Sequence, residues 1–427
     1  MSISSMGYED LMNKIEEYLP VRNKEKEKFG EVFTPPSLIN ELLDHLPHHV
    51  WSNPNFKWLD PACGIGNFFM IVFYRLMAGL ASKIPNKNKR SNHILKNMLF
   101  MIEINPKNIK IARSIFGVDV NIIDNNFLSD TIHFKDNFDI IIGNLPFNEE
   151  PNKNNKKTLA LWPKFVIKSF DILNKAGFLA FIHPPNWRSP GNKLWHLLSQ
   201  KHILYLHIYG PEESKLFFNV NTKVDLYVLQ NSEIKKSDTT MVVDELGEKQ
   251  AFHLQDFAFL PNYKIKQIIP LLNSTTSSQK EKQLKIIHDS FYSTAQTHEI
   301  KNDTYKYPVI SSITAGNKLH LRYASSKDKG HFNIPKVIIN GGRHPYPLND
   351  FQGKYGMTQN LFAIPITSKS QGDTIIKAIH SEAFTSILKA TKWTTFAIDY
   401  KLFAHFKADF YKQFLKNYKK TRKLSRV

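Results

Sequence analysis

Four residues near the first third of the chain, Asn144-Leu145-Pro146-Phe147, carry the sharpest chemical signal. A carboxamide and an aromatic ring stand three positions apart, directly after Phe138 to Ile142, which reads as a strand. The Asn144 side-chain oxygen and the Leu145 carbonyl can both accept from one exocyclic NH2 group. Phe147 offers a π-face to a flat, extruded base. Two acceptors on one amino group hold the nitrogen lone pair toward an electrophile. That suits methyl transfer to an amine that no side chain is basic enough to deprotonate first. A structural loop is the competing reading.

A second constellation lies upstream. Phe56 to Leu59 reads as a short strand, Asp60-Pro61-Ala62-Cys63-Gly64-Ile65-Gly66-Asn67 as a tight turn, and Phe68 to Met77 as a helix. Gly64 and Gly66 let the backbone turn sharply and approach a ligand, and the helix N-terminus behind them adds a positive pole. Glu103 closes a second strand, where an acid can accept from ribose hydroxyls, with Ile104 beside it. It follows Asp60 by 43 residues, against the ~20 usual in a dinucleotide fold; a Lys/Asn-rich stretch at 81–96, read as a loop, absorbs the excess. Asn126 could bond an adenine edge while Phe127 stacks on its face. In Phe33-Thr34-Pro35-Pro36-Ser37, Thr34 or Ser37 reads in isolation as the cap of the helix that follows.

The elements that must position these residues alternate strand and helix over 56–230. They predict an α/β, doubly wound, mainly parallel sheet with its ligand edge at the strand carboxyl ends. The turn from Asp60, Glu103, Asn126-Phe127 and Asn144 to Phe147 all fall on that edge. Residues 8–28 read as an amphipathic helix, 217–229 as a long strand or hairpin arm, and 232–250 as a polar linker. Residues 251–427 give shorter mixed elements, including a strand at 335–340, a strand at 361–366 and a helix near 374–388. The expected division is a catalytic domain over 1–235 and a second α/β domain over 236–427.

The chain has 427 residues, 42% of them hydrophobic and 22% charged, the composition of a globular protein. No apolar run reaches the ~20 residues of a membrane span, and Met1 to Leu19 lacks a signal-peptide core. The single cysteine, Cys63, excludes intramolecular disulfides and a multi-cysteine zinc site, and no metal is expected. An intracellular, cytoplasmic location follows as the expectation. The net charge of +19 is uneven: residues 241–427 hold 28 Lys and Arg against 14 Asp and Glu. A basic C-terminal half, ending in seven cations and no acid over Phe410 to Val427, points to a polyanion such as nucleic acid. Asp244-Glu245 to Glu248-Lys249 reads as a solvated charge cluster rather than a nuclease site.

Taken together, Phe33-Thr34-Pro35, Asp60 to Gly66, Glu103, Asn126-Phe127-Leu128 and Gly143-Asn144-Leu145-Pro146-Phe147 resemble the ordered motifs of S-adenosylmethionine-dependent adenine-N6 DNA methyltransferases of the gamma class, as in the methylase part of restriction-modification enzymes. The resemblance covers about residues 26–230. It implies a Rossmann-like methyltransferase sheet, with 236–427 as the target-recognition domain on double-stranded DNA. Phe33, Thr34, Pro35, Asp60, Ala62, Gly64 and Gly66 would hold the methionine part of S-adenosyl-L-methionine. Glu103 would hold its ribose, and Asn126 and Phe127 its adenine, with Ile104 also among the cofactor-binding residues. Asn144, Leu145, Pro146 and Phe147 would act on the target adenine, with Phe217 as a second stacking ring. A cognate restriction endonuclease is an expected partner in such a system, and the chain is expected to be a monomer. Two positions depart from the pattern: Leu145 stands where the family has Pro, a change expected to be tolerated at a backbone acceptor, and Asn126 replaces a common Asp. Asn-Leu-Pro-Phe also resembles ribosomal RNA adenine dimethyltransferases, so RNA methylation stays open as an alternative. A decayed, non-enzymatic DNA-binding module on the same fold is the other.

Overall fold

The computed structural model describes the chain except residues 1–2, 8, 11–12, 14–33, 149–158, 220, 273–282, 343, 394–397 and 416–427. Phe33, most of the helix expected over 8–28 and most of the cationic C-terminus lie outside the described residues.

Nine strands form one sheet: β1 (Trp58–Asp60), β2 (Leu99–Glu103), β3 (Asn121–Asp124), β4 (Phe138–Asn144), β5 (Leu173–His183), β6 (Lys201–Tyr209), β7 (Val224–Glu233), β8 (Thr240–Val243) and β9 (Lys249–Phe252). Their order is β3-β2-β1-β4-β5-β7-β6-β8-β9. The first five run parallel, and β7 is antiparallel to both its neighbours. Strands buried on both faces need apolar side chains at every position, as in Ile140-Ile141-Ile142 of β4, all fully buried. The chain turns one way from β1 to β2 and β3, and the other way to β4 and β5. The crevice between β1 and β4 is therefore the switch point at which such sheets bind ligands.

Helices described in this unit include α1 (Pro36–Asp44), α2 (Asn67–Gly79), α3 (Lys87–His93), α4 (Pro106–Phe116), α5 (Trp162–Asp171), α6 (Lys193–Ser199) and α7 (Pro211–Phe218). Proline opens α1, α4 and α7, where its missing N–H has no partner to lose. The stretch expected as a loop at 81–96 contains α3, continued by a π-helical turn over Ile94–Met98. It has no apolar stripe because most of its side chains face solvent, and Asn86 caps it by accepting from the Lys89 N–H at 3.0 Å. Phe217 lies in the last turn of α7 and is not on a strand; β7 starts at Val224. The expected linker at 232–250 supplies β8 and the start of β9, paired antiparallel. Asp244 Oδ1 accepts the N–H groups of Leu246 and Glu248 and closes their turn.

The division of the chain lies further on than expected. One compact unit takes residues 1–187 and 193–254, and the other takes 188–192 and 255–427. Arg188 is the reason for the short excursion. It is fully buried in the second unit and donates to the carbonyls of Leu260 (2.9 Å) and Pro261 (3.2 Å) and to Asn262 Oδ1 (3.0 Å).

The second unit holds two three-stranded sheets. In one, β10 (Tyr307–Thr314) lies between β11 (Lys318–Ala324) and the short β14 (Gly356–Met357). In the other, β12 (Lys336–Asn340) lies between β13 (Pro347–Asp350) and β15 (Leu361–Pro365). The helix expected near 374–388 is two, α8 (Lys369–Ile379) and α9 (Glu382–Ala390), because Ser381 caps a fresh start on the Phe384 N–H. Phe384, Phe403, Phe406 and Phe410 pack as a buried aromatic core beside them.

Lys336, with no exposed side-chain surface, donates to Asp350 Oδ2 at 2.9 Å and to the His331 carbonyl at 2.9 Å. Asp350 in turn accepts from the N–H groups of Lys354 and Tyr355, so one buried ion pair fixes the turn after β13. Asp350→Ala strands the ammonium in the interior and should cost about 3–5 kcal/mol of stability. Lys336→Met with Asp350→Leu should lose clearly less, as read by chemical denaturation. Equal losses would show that the pair's charge is not what matters.

Candidate active site at the sheet switch point

The turn after β1 is stapled down by a carboxylate. Glu103, at the end of β2 and 9% exposed, accepts from the backbone N–H groups of Gly64 (2.7 Å), Ile104 (2.9 Å) and Asn105 (2.8 Å). Gly64 has φ +58°, and a Cβ there would meet no atom within 4 Å, so the backbone faces open space. Gly66 has φ +94°, and a Cβ there would lie 2.4 Å from the Phe116 ring, so only glycine lets the turn close on α4. Cys63 is buried and its thiol is pushed well up by burial, which makes it a packing residue and not a nucleophile. Ile104 is 64% exposed beside the turn.

Asp60 is the unusual group. Its carboxyl is 1% exposed. Oδ1 accepts from the Ala62 N–H at 3.1 Å, while Oδ2 is buried without a partner. Burial, with Glu103 nearby, pushes its pKa up to about 8 against the single hydrogen bond from Ala62. Such an acid is short of a cation. It also touches the target loop: a Cβ on Gly143 would lie 3.0 Å from Asp60 Oδ1, so glycine lets β4 pass directly over the acid.

One residue further, β4 ends on Asn144. Its Nδ2 donates to Thr34 Oγ1 at 3.1 Å, and its Oδ1 is buried with no partner. Thr34 therefore does not cap α1 as its local sequence suggests; the cap position is Pro35, with no side-chain bond. The hydroxyl instead orients the carboxamide and leaves its acceptor oxygen available. The Leu145 N–H donates to the Ile182 carbonyl at 3.1 Å, and the Leu145 side chain is buried. Proline at 145 would lose that bond, so the departure from the usual pattern is built into the strand pairing and is not a neutral exchange. Phe147 is partly buried at the rim of the core, and its carbonyl accepts from the Leu161 N–H at 3.0 Å. Phe217 is likewise partly buried, edge-on to Tyr209 with ring centroids 5.4 Å apart.

Phe127 is the residue whose expected role the structure contradicts. Its ring is 1% exposed, packs on Phe165 of α5 at 5.2 Å, and has Lys168 Nζ 5.5 Å from its centroid. A ring so enclosed has no face for an adenine. Neighbouring Asn126 is exposed, with its Oδ1 engaged by the Leu128 N–H at 2.9 Å.

Residues 7–318 match the family described as N-6 DNA methylase. The chain belongs to that family. Three curated relatives agree with it. An uncharacterized adenine-specific methylase of Mycoplasma pneumoniae is 45% identical over 75 residues, 17% of this chain and 18% of the relative. Modification methylase CviBIII of Paramecium bursaria Chlorella virus NC1A is 26% identical over 49% of this chain and 52% of its own. Type II methyltransferase M.VspI of Vibrio sp. strain 343 is 27% identical over 41% of each. The chain thus spans about half the length of these relatives or less. Among solved structures, the Type ISP restriction-modification enzyme LlaBIII bound to DNA covers 96% of this chain and 40% of its own at TM-score 0.54 and 12% identity. The DrdV–DNA complex covers 96% and 58% at TM-score 0.50 and 12% identity. Both likenesses show the fold. Among the described residues no helix is long and apolar enough to cross a membrane.

Two outcomes test the site. Between about pH 4 and pH 8 the folded chain keeps a proton on Asp60 that the unfolded chain has released, given its shift from 3.8 to about 8. Stability should therefore fall with rising pH through that window, by up to ~1.4 kcal/mol per unit. Asp60→Asn should flatten that slope in denaturation curves; an unchanged slope would mean that Asp60 ionises normally. Leu145→Pro, which deletes a strand hydrogen bond and buried side-chain surface, should lower the unfolding free energy by ~1 kcal/mol or more. A more stable proline variant would overturn that account.

Proposed function

We propose that this chain moves a methyl group from S-adenosyl-L-methionine to the exocyclic N6 amino group of adenine at a specific site in DNA. The observation that carries this reading is the Asn144 carboxamide, oriented through its NH2 by Thr34 and left with a buried, unpartnered acceptor oxygen. A buried acceptor without a donor costs about 1–3 kcal/mol. Such a group fits a site whose donor arrives with the substrate.

The adenine amine brings two N–H donors. The Asn144 Oδ1 takes one and the Leu145 carbonyl the other, which turns the nitrogen lone pair toward the incoming methyl. A carboxamide does not take up a proton, so the residues orient and polarise without deprotonating first; the proton leaves to water after the N–C bond has formed. Phe147 and Phe217 supply rings for the base once it is out of the duplex stack.

The cofactor supplies an electrophilic methyl on a sulfonium and carries an ammonium. The residues present fit it. The unpartnered Asp60 Oδ2 seeks a cation, the open backbone at Gly64 admits a close approach, and Asn67 Oδ1 at the start of α2 is a further buried acceptor without a partner. Glu103 would meet the ribose with whatever acceptor capacity its backbone bonds leave. Asn126 would meet the adenine edge, without a stack from Phe127. The second unit would bind DNA phosphates through its excess of cations. A cognate endonuclease reading the same site is the partner expected of a modification methylase, and a monomer suffices for one target base.

Labelled methyl transfer to duplex DNA, with the product base identified after digestion, tests the reading. Asn144→Ala should lose ~100-fold or more in rate, with cofactor affinity by calorimetry nearly unchanged. Phe147→Ala should lose ~1–3 kcal/mol of base stacking, and Phe147→Trp far less. Methylated cytosine, methylated RNA with unmodified DNA, or an Asn144→Ala variant as fast as the parent would overturn it.

A further inference from the structure

The face of β6 that meets α1 is polar where a sheet–helix seam is normally apolar. Tyr205, His207 and Tyr209 alternate along the strand and so share one face, and all three converge on the carboxylate of Glu41 in α1. Tyr205 donates its hydroxyl to Glu41 Oε1 at 2.9 Å, His207 Nδ1 lies 2.5 Å from Oε1, and the Tyr209 hydroxyl donates to Oε2. His45, one turn on, stacks on Tyr205 at 3.4 Å and places its Nδ1 2.8 Å from the Glu41 carbonyl. His207 stacks on Tyr209 at 3.9 Å. The other inward positions of α1, Leu38, Ile39, Leu42 and Leu43, are ordinary buried aliphatics.

Two ends of this cluster reach the proposed active site. Upstream, α1 begins two residues after Thr34, the partner of Asn144. Downstream, Tyr209 holds the edge of Phe217. An apolar seam would bury α1 as well, but apolar contacts are non-directional and tolerate a slide along the strand. Hydrogen bonds from three successive same-face residues to one carboxylate fix a single register. We propose that Glu41 is a positioning residue for methyl transfer, setting the Thr34–Asn144 pair and the Phe217 ring in register with one another. The proposal rests on the adenine-methylation reading of this site.

The carboxylate is suited to the task. Burial opposes its ionisation, but the hydrogen bonds from His207 and Tyr209 outweigh it and hold the acid below its ordinary range. Burial and the Glu41 charge push both tyrosine hydroxyls up, so they remain donors at every working pH.

The test compares full-length Glu41→Leu, Glu41→Gln and Tyr209→Phe with the parent. It uses methyl transfer to duplex DNA and the fluorescence of 2-aminopurine placed at the target position, with unfolding midpoints and cofactor affinity measured alongside. A displacement of about 1 Å in a reacting group costs on the order of 100-fold. Glu41→Leu should therefore lose ~10- to 100-fold in kcat with KM for DNA little changed, and should alter the fluorescence of the extruded base. Glu41→Gln, which keeps one acceptor oxygen and so at most one of the two tyrosine bonds, should recover part of the rate. Tyr209→Phe keeps the ring and the fold and deletes one link, so it should lower kcat even if the leucine variant does not fold. Parental kcat and fluorescence in a folded Glu41→Leu, or in Tyr209→Phe, would overturn the proposal alone. A parent that methylates no adenine would remove the reading beneath it as well.

Discussion

Everything at the switch point depends on a buried carboxamide having one of its two ends satisfied by the protein. Asn144 stands at the end of a strand whose preceding residues are sealed on both faces, and its Oδ1 is buried there. The Thr34 hydroxyl accepts from the NH2 end and thereby decides which way the group points. With that bond made, the oxygen is the acceptor left over, and a buried acceptor without a protein partner suits a donor of the right shape. Asp60 repeats the pattern with a carboxyl group, since one oxygen is held by the backbone and the other is held by nothing. The site is assembled from local deficits that the rest of the fold is stable enough to carry.

Much of this was legible in the sequence because the relevant residues are scarce types in tight spacing. A strand, two glycines and a helix in order mark a tight turn that can approach a ligand, with a plain structural turn as the other reading. An asparagine and a phenylalanine straight after an apolar strand point to the same edge. Glu103 was also visible, although its first duty, pinning three backbone N–H groups of the adjoining turns, was not.

The misreadings share a cause. Thr34 lies beside two prolines, and local rules assign it to the helix that follows; its partner is 110 residues away and leaves no local trace. Phe127 was given a ligand face because it follows a strand end, but in a turn the direction of a side chain is set by the turn and not by alternation. The helix at Lys87–His93 has no apolar period because little of it is buried, and its one signal was a capping asparagine. The clasp on Glu41 did leave a signal, Tyr-x-His-x-Tyr at a period of two, on β6.

The path of the backbone has a consequence for engineering new specificities. Residues 188–192 belong to the second unit although the chain on either side of them belongs to the first. A chimaera that exchanges everything after residue 254 with another methylase would leave Arg188 behind. The incoming module would then present the carbonyls of Leu260 and Pro261, or their equivalents, without the guanidinium that donates to them in the native chain. The second unit is therefore transplanted in two pieces, a five-residue loop and the C-terminal segment, or it arrives without the bonds of Arg188.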